Sequence, residues 1–158
     1  MNLKDIQFFP LKPKHSQELS DAFLACDRDY CRFFTPFAVD NNSLYQRLAD
    51  CKQDRYWGIR SGDDLVGFFM LRGFDEGYSV PSFGVFVTQK FANKGFAKLA
   101  LHFCLSWCIS NQLPSLMLKV HPDNKFARGM YTRAGFQHRE VCPQTGHEVL
   151  EKSLEIKL

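Results

Sequence analysis

A strand, a long helix and a second strand follow one another between residues 80 and 120. The run VPSFGVFVT (80–88) has the aromatic and β-branched content of a strand, residues 95–112 repeat apolar side chains at helical spacing, and SLMLKV (115–120) is again typical of a strand. A helical crossover of this length joins two parallel strands, and such connections are right-handed in nearly all proteins. The unit therefore fixes two parallel neighbours inside the predicted sheet.

The segments around this unit predict antiparallel neighbours. Residues 55–60 and 64–74 are strand-like and are joined by a polar turn around Gly62, which is typical of a hairpin. Further strands are expected at 6–10, 136–141 and 147–156, and helices at 15–34, 42–51, 95–112 and 123–134. The order predicts an α/β fold with a mixed, mostly antiparallel central sheet of about seven strands flanked by about four helices. We expect a single domain over residues 1–158.

Composition supports one hydrophobic core and argues against export and against a membrane anchor. Hydrophobic side chains make up 45% of the 158 residues, which is enough for a single core. The opening MNLKDIQFF lacks the basic start and apolar stretch of a signal peptide, so we expect a cytoplasmic protein with six reduced cysteines. No apolar run reaches the roughly 20 residues of a membrane helix. Cys104 and Cys108 lie four apart in an apolar helical pattern, with no second Cys or His pair at metal spacing, so we expect neither a membrane partner nor a metal.

The start of the central helix is predicted to bind an anion. In FANKGFA (91–97), Asn93 can cap the helix and Gly95 lets a ligand approach the backbone, where the first N–H groups and the helix dipole favour negative charge. Residues 89–139 carry eight basic side chains and one acid, a net charge of +7 in a chain whose total is +3. This segregation indicates a polyanionic ligand, either a phosphorylated small molecule or nucleic acid. The nucleotide motifs GxxxxGK[ST] and GxGxxG are absent.

Two segments of the chain resemble the signatures of the GNAT acetyltransferase superfamily. VFVTQKFANKGFA (85–97) is similar to the family's phosphate loop, [QR]xxGx[GA], with matches at Gly95 and Ala97 and with Ala92 where the family usually has Gln or Arg. The run VHPDNKFARGMYTRAGF (120–136) keeps every spacing of the second signature, through Asn124, Ala127, Tyr131, Gly135 and Phe136. The first 75 residues resemble the family only in the order of their elements.

The resemblance implies that acetyl-CoA binds and that its acetyl group passes directly to a primary amine of a small molecule or peptide. In this family the parallel strands splay apart after the fourth strand and hold the pantetheine arm, while the following loop wraps the pyrophosphate. Asn124 is then expected to contact the pantetheine arm, and Tyr131 to protonate the leaving thiolate as the catalytic acid. The expected cofactor-binding residues are Phe86 and Val87, through their backbone, with Ala92, Asn93, Lys94, Gly95, Phe96, Ala97, Asn124 and Tyr131.

The sequence leaves the general base and the acceptor open. Many family members place a glutamate on the fourth strand, but Ser82 stands at that position, with Asp75, Glu76 and His121 as alternatives. The aromatic segment CRFFTPF (31–37) lies where family members line the acceptor pocket. It could equally serve to hold two short helices on the sheet. A small-molecule amine is the expected acceptor.

Other partners are predicted less directly. Nucleic acid is not expected, because Phe91, Phe96 and Phe126 are better explained as core residues than as stacking platforms. A homodimer stays open, since similar proteins often dimerise. The family's usual Gln or Arg is replaced by Ala92, and its common glutamate by Ser82. These differences leave an alternative function, a non-catalytic acyl-CoA-binding module of the same fold.

Overall fold

The structure is a computed structural model that describes residues 1, 3–34 and 36–155. Its strands are β1 (Ile6–Pro10), β2 (Arg55–Ser61), β3 (Asp64–Arg72), β4 (Ser82–Val87), β5 (Ser115–Val120), β6 (Gln137–Val141) and β7 (Glu148–Ser153). Its α-helices are α1 (Ser16–Leu24), α2 (Arg28–Cys31), α3 (Asn41–Asp50), α4 (Phe96–Ser110) and α5 (Lys125–Arg133).

One sheet contains all seven of these strands, in the order β1-β2-β3-β4-β5-β7-β6. Every neighbouring pair is antiparallel except β4 and β5, which are parallel because the α4 crossover joins them. The mixed α/β fold with a central crossover is thereby confirmed. The predicted last strand ends at Ser153, and residue 156 of that prediction lies outside the described residues.

The helix predicted over residues 15–34 is two helices, so the described part of the chain holds five α-helices instead of four. The break lies at Asp27, whose backbone is extended (ψ 144°). The Asp27 N–H donates to Gln89 Oε1 (3.0 Å), and Gln89 Nε2 donates to the Asp27 carboxylate (2.9 Å). A contact with a residue 62 positions away therefore overrides the local helical pattern.

The sheet separates two cores. On one face α4 and α5 pack in a cluster that includes Phe69 and Phe83, and on the other α1, α2 and α3 pack against Phe68, Met70 and Phe86. Successive residues of β3 and β4 thus face opposite layers. This alternation decides which side of the sheet each functional group reaches.

All six cysteines are free thiols. Among the described residues, none of the helices combines the length and the apolar content needed to cross a bilayer.

Candidate active site

The strands β4 and β5 separate soon after they meet, which opens a gap inside the sheet. They pair only at Ser82–Met117 and Phe83–Leu118, near the beginning of β4. Beyond these pairs, residues 84–87 of β4 have no partner in β5. Parallel neighbours normally bond to each other along their whole facing edges, so the gap exposes backbone groups that a continuous sheet would pair.

The hydrogen bonds around β4 show which of its backbone groups face the gap. Thr88 N donates to Val66 O of β3 (2.8 Å), whereas Met117 N of β5 donates to Pro81 O (3.1 Å). Successive strand residues direct their peptide groups to opposite sides. The even-numbered residues of β4 therefore face β3 and the odd-numbered ones face β5. Beyond the paired region, the residues that face the gap are Val85 and Val87.

This alternation separates the two predicted backbone contacts. The Val87 peptide faces the gap, and its carbonyl accepts a hydrogen bond from the Tyr30 hydroxyl (2.6 Å). The Phe86 peptide faces β3, and the Phe86 side chain is buried in the core beneath α1–α3. Val85, which the sequence patterns did not indicate, offers the free peptide instead. A cofactor contact of Phe86 stays a prediction, and the direction of its peptide groups counts against it.

The loop after β4 curls before α4 begins. Asn93 and Gly95 both have left-handed backbones (φ 59° and 88°), a conformation that suits glycine and that asparagine tolerates. Among the described residues, the N–H groups of residues 93–98 donate to no protein acceptor. Such a loop and a helix N-terminus both direct N–H groups to one side, which makes a concave anion site. Binding of an anion at this corner stays a prediction.

Aromatic packing holds this corner in place. The rings of Phe91 and Phe96 meet edge to face, 5.9 Å apart, and both pack against the core. The Lys94 ammonium lies 5.6 Å from the Phe91 ring centroid. Phe91 and Phe96 therefore lie where the sequence predicts them. The prediction that Phe126 is a core residue is wrong, because its side chain on α5 is 68% exposed. One argument against a nucleic-acid partner is therefore removed.

Tyr131 packs on the α4–α5 side of the sheet. It is 7% exposed, and its ring meets those of Phe83 (6.3 Å) and Phe136 (5.9 Å) edge to face. Its hydroxyl has no hydrogen-bond partner among the described residues, yet it is not enclosed and lines the cleft described below. Burial raises the pKa of Tyr131, so the phenol keeps its proton at neutral pH and can donate it.

Asn124 has a structural task at the start of α5. Its side-chain oxygen accepts a hydrogen bond from Ala127 N (3.3 Å), which caps the helix. The amide nitrogen of Asn124 forms no hydrogen bond with the described residues and remains available as a donor. A contact between Asn124 and a ligand therefore stays a prediction.

A single cleft of about 1380 Å³ joins these groups. All the predicted cofactor residues line it except Lys94, whose side chain lies over Phe91 instead. The wall on the other side of the sheet includes Tyr30, Phe33, Phe34 and Pro36. Phe33, Phe34 and Pro36 of the aromatic segment 31–37 therefore line the cleft, whereas Cys31 and Phe37 pack in the α1–α3 core. Thr35 lies outside the described residues.

The segment around α2 spans the gap. Tyr30 bonds to Val87 on the β4 side, and the Phe33 ring lies 4.9 Å from the ring of His121, which follows β5. The Asp27–Gln89 pair ties the start of the same segment to the loop after β4. The sequence did not predict these contacts, because no local pattern links residues so far apart.

Two of the predicted general bases are already engaged. The Asp75 carboxylate accepts hydrogen bonds from the backbone N–H groups of Lys52 (3.1 Å) and Gln53 (2.6 Å). Burial alone would raise the pKa of Asp75, but these N–H groups outweigh it and lower the pKa. His121 Nδ1 accepts a hydrogen bond from Asp123 N (3.0 Å), so a backbone N–H already engages this acceptor atom.

Glu76 and His147 are two further basic candidates in the cleft. The exposed Glu76 carboxylate forms no hydrogen bond or ion pair with the described residues. His147, at the start of β7, lies 5.4 Å from the His121 ring, and burial, followed by the charges of His121 and Lys119, lowers its pKa. The neutral ring can accept a proton. No local sequence pattern indicates His147, because its place in the cleft depends on the pairing of β7 with β5.

A family comparison matches most of the chain. The model of the family described as Acetyltransferase (GNAT) family matches residues 17–136. The match begins well before the two sequence signatures and includes α1–α3. No curated protein sequence matches the chain.

Solved structures share this fold at low sequence identity. A ribosomal-protein-S5-alanine acetyltransferase from Vibrio fischeri is 13% identical with a TM-score of 0.79, over 98% of this chain and 96% of that chain. A spermidine N-acetyltransferase from Vibrio cholerae in complex with CoA and spermine is 15% identical with a TM-score of 0.76, over 94% and 95%. RimJ of Mycobacterium smegmatis in complex with CoA-disulfide is 16% identical with a TM-score of 0.76, over 94% and 81%. At these identities the likeness concerns the fold.

The buried phenol of Tyr131 predicts a specific loss of stability in alkali. The pKa of Tyr131 is raised in the folded protein, whereas an unfolded tyrosine ionises near pH 10. Its contribution to stability is therefore complete below about pH 10 and is lost as the pH rises above that value. Denaturant unfolding between about pH 8 and about pH 11 should show a smaller loss of stability for Tyr131→Phe than for the wild type.

Tyr45→Phe is the matched control for this measurement. Tyr45 lies on α3 and is 50% exposed, so removing its hydroxyl should leave the alkaline loss as in the wild type. Equal losses for Tyr131→Phe and the wild type would contradict a buried, neutral phenol at position 131.

Proposed function

The chain belongs to the acetyltransferase (GNAT) family, and we propose that it transfers an acetyl group from acetyl-CoA directly to a primary amine. The observation that carries this proposal is the meeting of three features in one cleft. They are the interrupted pairing of β4 and β5, the unpaired N–H groups of residues 93–98, and the hydroxyl of Tyr131. The interrupted pairing can bind an amide-containing arm, and the unpaired N–H groups can bind a diphosphate. The Tyr131 hydroxyl can protonate a leaving thiolate.

The residues present fit coenzyme A. Negatively charged oxygens are stabilised by the N–H groups of residues 93–98 and by the positive end of the α4 dipole. The unpaired peptides of Val85 and Val87 can bond an amide chain as a neighbouring strand would. Since the Val87 carbonyl already accepts from Tyr30, its N–H is the more available group. When bound, the coenzyme supplies an activated acetyl thioester.

Tyr131 acts as the general acid in this proposal. Transfer of the acetyl group to an amine expels a thiolate, which needs a proton. The raised pKa of Tyr131 keeps the phenol protonated, and its hydroxyl has no competing protein acceptor among the described residues.

The attacking amine must also lose a proton, and two groups of the cleft can take it. Asp75 and His121 are engaged by backbone N–H groups, and the hydroxyl of Ser82 is a poor base. Glu76 and His147 retain free acceptor atoms and line the cleft. We assign the proton to one of these two, directly or through water.

Removal of the Tyr131 hydroxyl tests the catalytic proposal. Tyr131→Phe should lower kcat about 100-fold or more, because a positioned general acid contributes at least that factor. The Kd for acetyl-CoA, measured by isothermal titration calorimetry, should stay within about twofold, since binding relies on backbone groups. Tyr45→Phe should match the wild type. Turnover is measured as free thiol released with a panel of primary amines.

Two outcomes would contradict the proposal. Unchanged turnover in Tyr131→Phe would show that Tyr131 is not the general acid. Tight binding of acetyl-CoA with no thiol release by any amine would favour a non-catalytic acyl-CoA-binding module.

The loop position of Ala92 offers a gain-of-function test. Many family members have Gln or Arg there, and Ala92 lines the cleft beside the unpaired N–H groups. Ala92→Arg should tighten CoA binding about 3- to 10-fold at low salt, because an exposed charge-assisted hydrogen bond contributes about 1 kcal/mol. The gain should shrink as salt screens it.

Ala49→Arg, on the exposed side of α3, adds the same charge away from the cleft and should leave CoA binding unchanged. If Ala92→Arg binds no better than Ala49→Arg in a calorimetric titration, the pyrophosphate does not lie at this loop.

A further inference from the structure

Arg72 ends β3 in the acceptor half of the cleft. It pairs with Ser82, the position where many family members have their glutamate base. Phe68 and Met70 of the same strand face the α1–α3 core, so the Arg72 side chain extends from that side of the sheet as well. It lines the cleft together with the aromatic segment around Phe34.

The guanidinium of Arg72 is held in place but is not neutralised. Its Nε atom is buried and has no hydrogen-bond partner, and the group lies 5.1 Å from the Phe37 ring centroid. Within the described residues Arg72 forms no ion pair, whereas Arg60, Arg128 and Arg139 each bind a glutamate. The terminal nitrogens of Arg72 are not enclosed, so they can donate into the cleft.

The acids near Arg72 are used elsewhere. The Asp75 carboxylate accepts from backbone N–H groups, and Asp54 Oδ1 accepts from Asp75 N (3.1 Å). Glu76 lines the same cleft but forms no ion pair among the residues that the structure describes. Arg47 of α3 also lies over the Phe37 ring, 4.0 Å from its centroid, but it lines a separate pocket together with Asp50, Asp54 and Asp75. The nearby carboxylates remain charged, yet among the described residues none of them forms an ion pair with Arg72.

We infer that the acceptor is an amine that also carries a carboxylate, and that Arg72 binds this carboxylate. A partly buried cation is costly without a counter-ion, and a guanidinium forms two parallel hydrogen bonds with a carboxylate. This inference rests on the proposed acetyl transfer and names its substrate class. It makes Arg72 a residue that determines specificity.

The position of Arg72 also indicates which class of carboxylate-bearing amine the site favours. Arg72 is the cross-strand neighbour of Ser82, at the end of the gap where β4 and β5 still pair, and this position suits an acceptor whose carboxylate and amine are close together in one molecule. An α-amino acid has this geometry. The rings of Phe33 and Phe34 and the ring of Pro36 line the same region and suit an apolar side chain. A polyamine would instead bring further positive charge next to an unpaired guanidinium.

Matched pairs of amines, with and without the carboxylate, test this inference. The pairs are leucine with isoamylamine and phenylalanine with phenethylamine, and thiol release gives kcat/KM for each. The wild type should prefer the amino acid in at least one pair by about 10-fold or more, the factor expected when a charged hydrogen bond is lost. Arg72→Gln should remove this preference, mainly by raising KM for the amino acid, and Arg72→Lys should retain part of it.

Arg55→Gln is the matched control. Arg55 begins the neighbouring strand β2, is exposed and does not line the cleft, so the preference should persist. The Kd for acetyl-CoA should be equal in the wild type and Arg72→Gln, which also shows that the variant is folded. If amines without a carboxylate are acetylated as well as their partners, the inference is overturned while the proposed function stands.

A binding measurement decides the inference without turnover. N-acetylleucine should bind the CoA-loaded protein more tightly than N-isoamylacetamide, and Arg72→Gln should abolish the difference. If no amine releases thiol, the proposed acetyl transfer fails. Equal affinity for the two compounds in the wild type would overturn the carboxylate site itself.

Discussion

The interruption of hydrogen bonding between β4 and β5 is the constraint on which the rest of the site depends. The α4 crossover forces these strands to be parallel neighbours, yet they pair at only two positions. A sheet that stays open at its centre leaves backbone groups that only water or a ligand can satisfy. The loop after β4, the start of α4 and the ring of Tyr131 all line the opening. The fold therefore brings the unpaired backbone groups and the proposed general acid into one cleft.

The two halves of the cleft have different chemistry. On the cofactor side, unpaired N–H groups and a curled loop favour an extended anion without requiring a fixed basic side chain. On the proposed acceptor side, the Arg72 guanidinium lies over the Phe37 ring, and Phe33 and Phe34 line the same cleft. The α2 segment touches both, through the Tyr30–Val87 bond and the Asp27–Gln89 pair. A change in the loop after β4 is therefore expected to move the α2 segment, which lines the proposed acceptor pocket.

Local patterns were enough to predict the crossover, the long helix α4 and the helix that carries Tyr131, because each depends on residues close in sequence. The break between α1 and α2 could not be predicted, since Gln89 stabilises the extended backbone of Asp27 from the other half of the chain. Strand alternation explains why Val85 and not Phe86 offers a free peptide, and this requires the register with β3. The cross-strand pairing of Arg72 with Ser82 depends on the same register.

The central claim is that the opened sheet and the start of α4 bind coenzyme A through backbone amides. Titration of ¹⁵N-labelled protein with CoA, followed by amide chemical shifts, tests it most directly. The account predicts that the largest shifts occur at residues 93–98 and at Val85 and Val87. Binding of CoA that leaves these amides unchanged would contradict it.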